Sequence, residues 1–117
     1  MIRALRGAIC AENSADGIHA SAAILLMEIF AANKIKHEDV VAVTFTCTKD
    51  LDAAHPAAAA RNLGLAHASL LCVQEMDVVG ALPRCIRVQL LVNTEIAQNE
   101  LKHIYIGAAK ILRPDIK

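Results

Sequence analysis

The first residue in this chain that could do chemistry is an arginine set in a strongly apolar run. Arg87 stands between Ile86 and Val88 in Cys85-Ile-Arg-Val-Gln-Leu-Leu-Val92. A guanidinium there is desolvated at its base and seeks a fixed anionic partner, unless its face of the sheet is simply wet. The second candidate is Cys72-Val-Gln-Glu-Met-Asp77, an acid-bearing turn directly after a short apolar strand. Taken alone, it reads better as a solvated loop. Other chemistries find little support. Five histidines (His19, His37, His55, His67, His103) are scattered singly, with no His-x-x-x-His pair, so no metal site is expected. The five glycines are isolated, which leaves no phosphate-cradling loop, and a Gly-x-Ser-x-Gly elbow is missing. The cysteines Cys10, Cys47, Cys72 and Cys85 lie 37, 25 and 13 residues apart with no Cys-x-x-Cys pair. That spacing is poor for zinc, and reduced, mostly core thiols are expected.

The elements that must position these residues read as a single domain over residues 1–117. Residues 2–10 form a first strand, with Arg3 and Arg6 on opposite faces. The Asn, Ser and Asp of Glu12–Gly17 can cap a helix whose apolar positions are Ile18, Ala22, Leu25, Leu26, Ile29 and Phe30, ending near Asn33. Val41, Val43, Phe45 and Cys47 alternate with Ala42, Thr44, Thr46 and Thr48, which predicts a half-buried strand. Pro56 suits the first turn of a short helix over Ala57–Leu63 that Gly64 ends. Ser69–Val73 is a short strand and Gln74–Pro83 irregular or a single helical turn. Arg84–Thr94 is a strand with Ile86, Val88, Leu90 and Val92 on one face, and a last strand is expected from about His103 to Leu112. This order gives an α+β fold, a mixed β-sheet with one long and one short helix packed on one side.

Composition removes whole classes of function. Hydrophobic residues make up 56% of the chain and charged residues 21%, which excludes intrinsic disorder. Twelve Lys+Arg balance twelve Asp+Glu, so a nucleic-acid module driven by bulk positive charge is not expected. Alanine supplies 22 residues and only three are aromatic, leaving little for stacking on bases or sugars. The most apolar stretch, Ala20–Ala32, contains Ser21 and Glu28 and is too short to span a bilayer, and no signal-length apolar run follows Arg3 and Arg6. A cytoplasmic protein without a membrane segment is expected. The apolar excess in so small a chain suggests that another subunit covers part of it.

Arg3-Ala-Leu-Arg-Gly-Ala8, Cys72-Val-Gln-Glu-Met-Asp-Val78, Arg84-Cys-Ile-Arg-Val88, His103-Ile-Tyr105 and Leu112-Arg-Pro-Asp115 occur in a characteristic order and spacing. Over Ile2 to Asp115 the chain resembles the AroH-class chorismate mutases, most specifically in Gln-Glu-Met-Asp-Val and Cys-Ile-Arg-Val. The resemblance implies a pseudo-α/β-barrel homotrimer with active sites at subunit interfaces, rearranging chorismate to prephenate. That [3,3] shift breaks a C–O ether bond and makes a C–C bond, without proton transfer, nucleophile, metal or cofactor. An enzyme can contribute orientation and a preorganised cation at the ether oxygen. Position by position, the resemblance assigns Arg87 to the ether oxygen and a carboxylate, Arg6 and Tyr105 to a carboxylate, and Cys72 and Glu75 to the ring hydroxyl. Arg61 and Arg113 are implied near the entrance, Leu112 as an apolar wall, and Ala57 along the pocket.

The chain departs from that pattern at several positions. His55 replaces a phenylalanine on one wall, Ala58 a frequent lysine, and Leu71 a small polar residue, and the C-terminal tail is short. These changes bear on affinity and closure and leave Arg87, Arg6, Glu75 and Tyr105 in place. A non-catalytic trimeric binder of small anions, or a relative of the Rid-type enamine/imine deaminases, is the alternative. Interface arginines would serve that equally, whereas a ring-hydroxyl clamp at Cys72 and Glu75 is useful for chorismate and pointless for a small imino acid.

Overall fold

The computed structural model describes residues 1–115. Strand β1 (Ile2–Cys10) leads into helix α1 (Ala15–Asn33), strand β2 (Val40–Cys47), helix α2 (Ala57–Asn62), and strands β3 (Ser69–Gln74), β4 (Cys85–Asn93) and β5 (Ile104–Tyr105). The strands form one sheet in the order β3-β2-β4-β1-β5. The inner pairs β1/β4 and β2/β4 are antiparallel, while the outer pairs β2/β3 and β1/β5 are parallel. The expected mixed sheet with one long and one short helix is therefore present.

Alternation along the strands assigns the two faces. Leu5, Ile9, Val43, Phe45, Ile86, Val88, Leu90 and Val92 pack with Ile18, Ala22, Leu25, Leu26 and Ile29 of α1 into the main core. The hydroxyl of Ser14 caps α1 by accepting the Gly17 N–H at 2.9 Å, and Lys34 ends it in the left-handed conformation (φ 54°). At 19 residues the whole helix is long and apolar enough to cross a bilayer, although its most apolar stretch, Ala20–Ala32, is not. Here its apolar stripe is occupied by the sheet. Pro56 and Gly64 (φ 96°) bracket α2 as expected.

The last strand is the main correction. Pairing with β1 covers only Ile104 and Tyr105, and Gly107–Leu112 winds into a 3₁₀ helix instead of extending to Leu112. Gly107 adopts φ 60°, a left-handed turn that breaks the strand. The turn that follows buries Ala109 against Ala8, Cys85 and Tyr105, and this small second cluster lies on the sheet face away from the helices. Gln74–Pro83 is irregular beyond β3, without a helical turn.

Candidate active site

Register brings the candidate residues together on the face that the helices leave open. Ala8 of β1 and Thr46 of β2 flank Arg87 on either side, and Ala8 in turn lies opposite Tyr105 of β5. Arg6, Glu75, Arg87 and Tyr105 line a groove of about 230 Å³ together with Thr44, Thr46 and Gln89. Arg87 Nη1 donates to Glu75 Oε1 at 3.0 Å, with the two side chains 39% and 22% exposed. The pair is neither free in water nor sealed off, so the guanidinium keeps donors to offer a ligand. The Thr46 hydroxyl donates to the same Glu75 oxygen at 3.0 Å. Arg6 Nη2 donates to the Tyr105 hydroxyl at 3.4 Å, placing a second cation beside the first.

The support behind Arg6 comes from residues that sequence reasoning passed over. His103 Nδ1 accepts the Arg6 backbone N–H at 3.0 Å. Burial, and then the charges of Arg6 and Arg113, hold the His103 pKa below its ordinary value, which keeps that nitrogen an acceptor. The buried Asn33 amide donates to the carbonyls of Ile29 and Lys102 and accepts the Lys102 N–H at 2.7 Å, tying the end of α1 to the segment entering β5. Gly7 lets β5 approach: a Cβ there would lie 2.7 Å from the Ile104 carbonyl oxygen.

The remaining assigned residues lie elsewhere in the protomer. Cys72 packs toward the main core, opposite Phe45, whereas Glu75 turns to the open face, so the two do not meet around one point within a chain. Cys72 and His55 share a separate hollow of about 400 Å³ with Cys47 and Pro56. Ala57 is buried at the start of α2, and Arg61 is exposed near its end. Leu112 packs against the second cluster, and Arg113 pairs with Asp115 at 2.8 and 3.1 Å. Burial pushes the Cys47 thiol up to about 11 and the Cys85 thiol up to about 12, so both stay protonated and inert at neutral pH. Only Cys85 is fully buried; the other three are half-buried.

An open groove with two fixed guanidiniums, a phenol and one anchored carboxylate suits a compact dianion that also carries a hydroxyl group. The chain is similar along its length to known proteins. A family model described as chorismate mutase type I matches residues 2–116. Chorismate mutase AroH of Thermus thermophilus is 43% identical over 119 residues, spanning 100% of this chain and 98% of the relative. Chorismate mutase AroH of Bacillus subtilis (strain 168) is 41% identical over 118 residues, spanning 99% of this chain and 93% of the relative. Among solved structures, a chorismate mutase from Clostridium thermocellum matches with a TM-score of 0.90 at 45% identity, covering 92% of this chain and 97% of that one. The deaminase and non-catalytic alternatives fall away, and the chain belongs to the type I chorismate mutases, with the activity of rearranging chorismate to prephenate in aromatic amino-acid biosynthesis.

Proposed function

We propose that Arg87 is the cation that stabilises the ether oxygen of chorismate as its C–O bond breaks. The carrying observation is the convergence of Arg6, Glu75, Arg87 and Tyr105 in one groove. In this reading Arg6 and Tyr105 hold a substrate carboxylate, and Arg87 spans the ether oxygen and a carboxylate with donors not engaged by Glu75. Glu75 accepts the ring hydroxyl as a hydrogen-bond acceptor and transfers no proton. Confinement in a chair-like geometry and a preorganised cation then supply the acceleration. No bond in the rearrangement requires an added cofactor or a metal.

The chain works in this proposal as a cytoplasmic, single-domain homotrimer. The open sheet face and the exposed Leu71, Val73, Met76, Val78 and Val79 beside it favour a covering subunit. The two separated hollows point the same way. A second copy can present its Cys72, His55, Ala57 and Arg61 to the Arg87 groove, which one chain cannot do for itself. Leu112 and Arg113 then close the entrance. The test is the loss of chorismate absorbance on adding purified protein. Absence of turnover by a folded sample would defeat the assignment of these residues.

A further inference from the structure

We infer that Thr46 is a positioning residue for this reaction, one that prevents Glu75 from closing fully onto Arg87. The inference rests on the roles proposed above for Glu75 and Arg87. Two donors meet a single oxygen: Thr46 Oγ1 and Arg87 Nη1 each lie 3.0 Å from Glu75 Oε1. Among the described residues, Oε2 of Glu75 has no hydrogen-bond donor. The carboxylate is thus divided, one oxygen committed to two protein donors and the other without one among the described residues, on a side chain that lines the groove.

An arginine and a carboxylate in contact tend toward a two-pronged grip, in which two N–H groups meet two oxygens. Such a grip would occupy both oxygens of Glu75 and a second donor of Arg87. It would withdraw the acceptor meant for a ring hydroxyl and a donor meant for the ether oxygen. The Thr46 hydroxyl opposes it by fixing Oε1 from the β2 side, across the strand from Arg87. The arrangement is local and rigid. Thr46 is β-branched and paired with Arg87 one residue before the end of β2, with few side-chain conformations open to it. Glu75 is held through its own backbone as well, its N–H donating to the Cys47 carbonyl at 2.8 Å.

The discriminating experiment compares Thr46→Val and Thr46→Ser with the parent, measuring kcat and KM for chorismate and the thermal midpoint. Valine keeps the shape and the strand preference but removes the donor, so folding should be retained. Thr46→Val should lower kcat/KM by about 10- to 100-fold, the effect of deleting a hydrogen bond to a charged group, with kcat falling and KM rising together. Thr46→Ser should restore activity to within about threefold, since it returns the donor. In a Glu75→Gln background the amide cannot grip Arg87 as a carboxylate does. There, Thr46→Val should change prephenate affinity by less than about twofold. Thr46→Ala provides a second hydroxyl deletion with the same expectation. Parent-like kcat/KM in Thr46→Val, or a serine variant as slow as valine, would overturn the inference while leaving the chorismate assignment intact. A parent protein without turnover would instead defeat the underlying reading.

Discussion

The imidazole of His103 accepts the backbone N–H of Arg6 at 3.0 Å, so a titratable group holds the strand that carries a cation proposed to bind a substrate carboxylate. Protonation would turn that acceptor into a donor facing another donor. Burial and the neighbouring charges of Arg6 and Arg113 depress the folded pKa below 6.5. A depressed histidine contributes stability above its unfolded value and loses it as pH falls through the folded value. The urea midpoint should therefore fall as the pH drops below about 6.5. His103→Asn, which can accept the same N–H without titrating, should flatten that part of the profile relative to the parent. An identical slope in both proteins would remove His103 from the account.

Gly7 ties the packing of β5 to the chemistry. A methyl group there would stand 2.7 Å from the Ile104 carbonyl oxygen and about as close to α1, at 3.0 Å from Leu25 and 3.1 Å from Ile29. The Leu25 and Ile29 contacts are side-chain tips that can shift, but the Ile104 carbonyl is backbone and cannot yield without moving β5, which carries Tyr105. Gly7→Ala should cost about 1–3 kcal/mol in denaturant unfolding, the usual effect of overpacking. Displacing Tyr105 should also lower kcat/KM by up to about 10²-fold, the scale of a positioning error near 1 Å. A stable, fully active Gly7→Ala protein would show that β5 has slack.

Most of this architecture was legible because burial on one side imposes a period of two. The alternations Val43, Phe45 and Ile86, Val88, Leu90, Val92 identify β2 and β4, and the apolar spacing of Ile18 to Ile29 identifies α1. The same pattern misled at the C-terminus. Ile104 and Ile106 continue an apparent strand, but the turn at Gly107 and the burial of Ala109 depend on a tertiary contact with Ala8. The separation of Cys72 from Glu75 was within reach of sequence reasoning, since positions three apart in an extended segment face opposite ways. Thr46 was not. It is one of several threonines in or beside β2, and only the cross-strand register sets it beside Arg87.

The proposed division of the site between subunits can be tested by mixing. Light scattering should give about three times the 12.5 kDa chain mass. Arg87→Ala disables one contributor to each site and Arg61→Glu the other. After the two inactive proteins are unfolded together and refolded, random assembly leaves about one site in four with both contributors intact. Activity should reappear in the mixture and in neither protein alone. A mixture as inactive as its components would mean that one chain supplies Arg61 and Arg87 to the same site.

Arg87 itself gives the most demanding prediction. Its guanidinium lies at the surface of the sheet, 39% exposed, so its removal should leave the fold in place, with Glu75 still bonded to Thr46. Charge develops on the ether oxygen only as the bond breaks, so the loss should fall mainly on kcat. Removing one preorganised donor typically costs about 10²–10³-fold, and a whole cation should cost more. Arg87→Lys should also fail. An ammonium is a point charge and cannot meet Glu75, the ether oxygen and a carboxylate in one plane. Citrulline at position 87 separates shape from charge, because it keeps a planar, hydrogen-bonding head group without the cation. It should retain part of the substrate affinity and lose most of the rate. Near-parent turnover by that variant would refute electrostatic stabilisation, and confinement in the groove would then have to account for the whole acceleration.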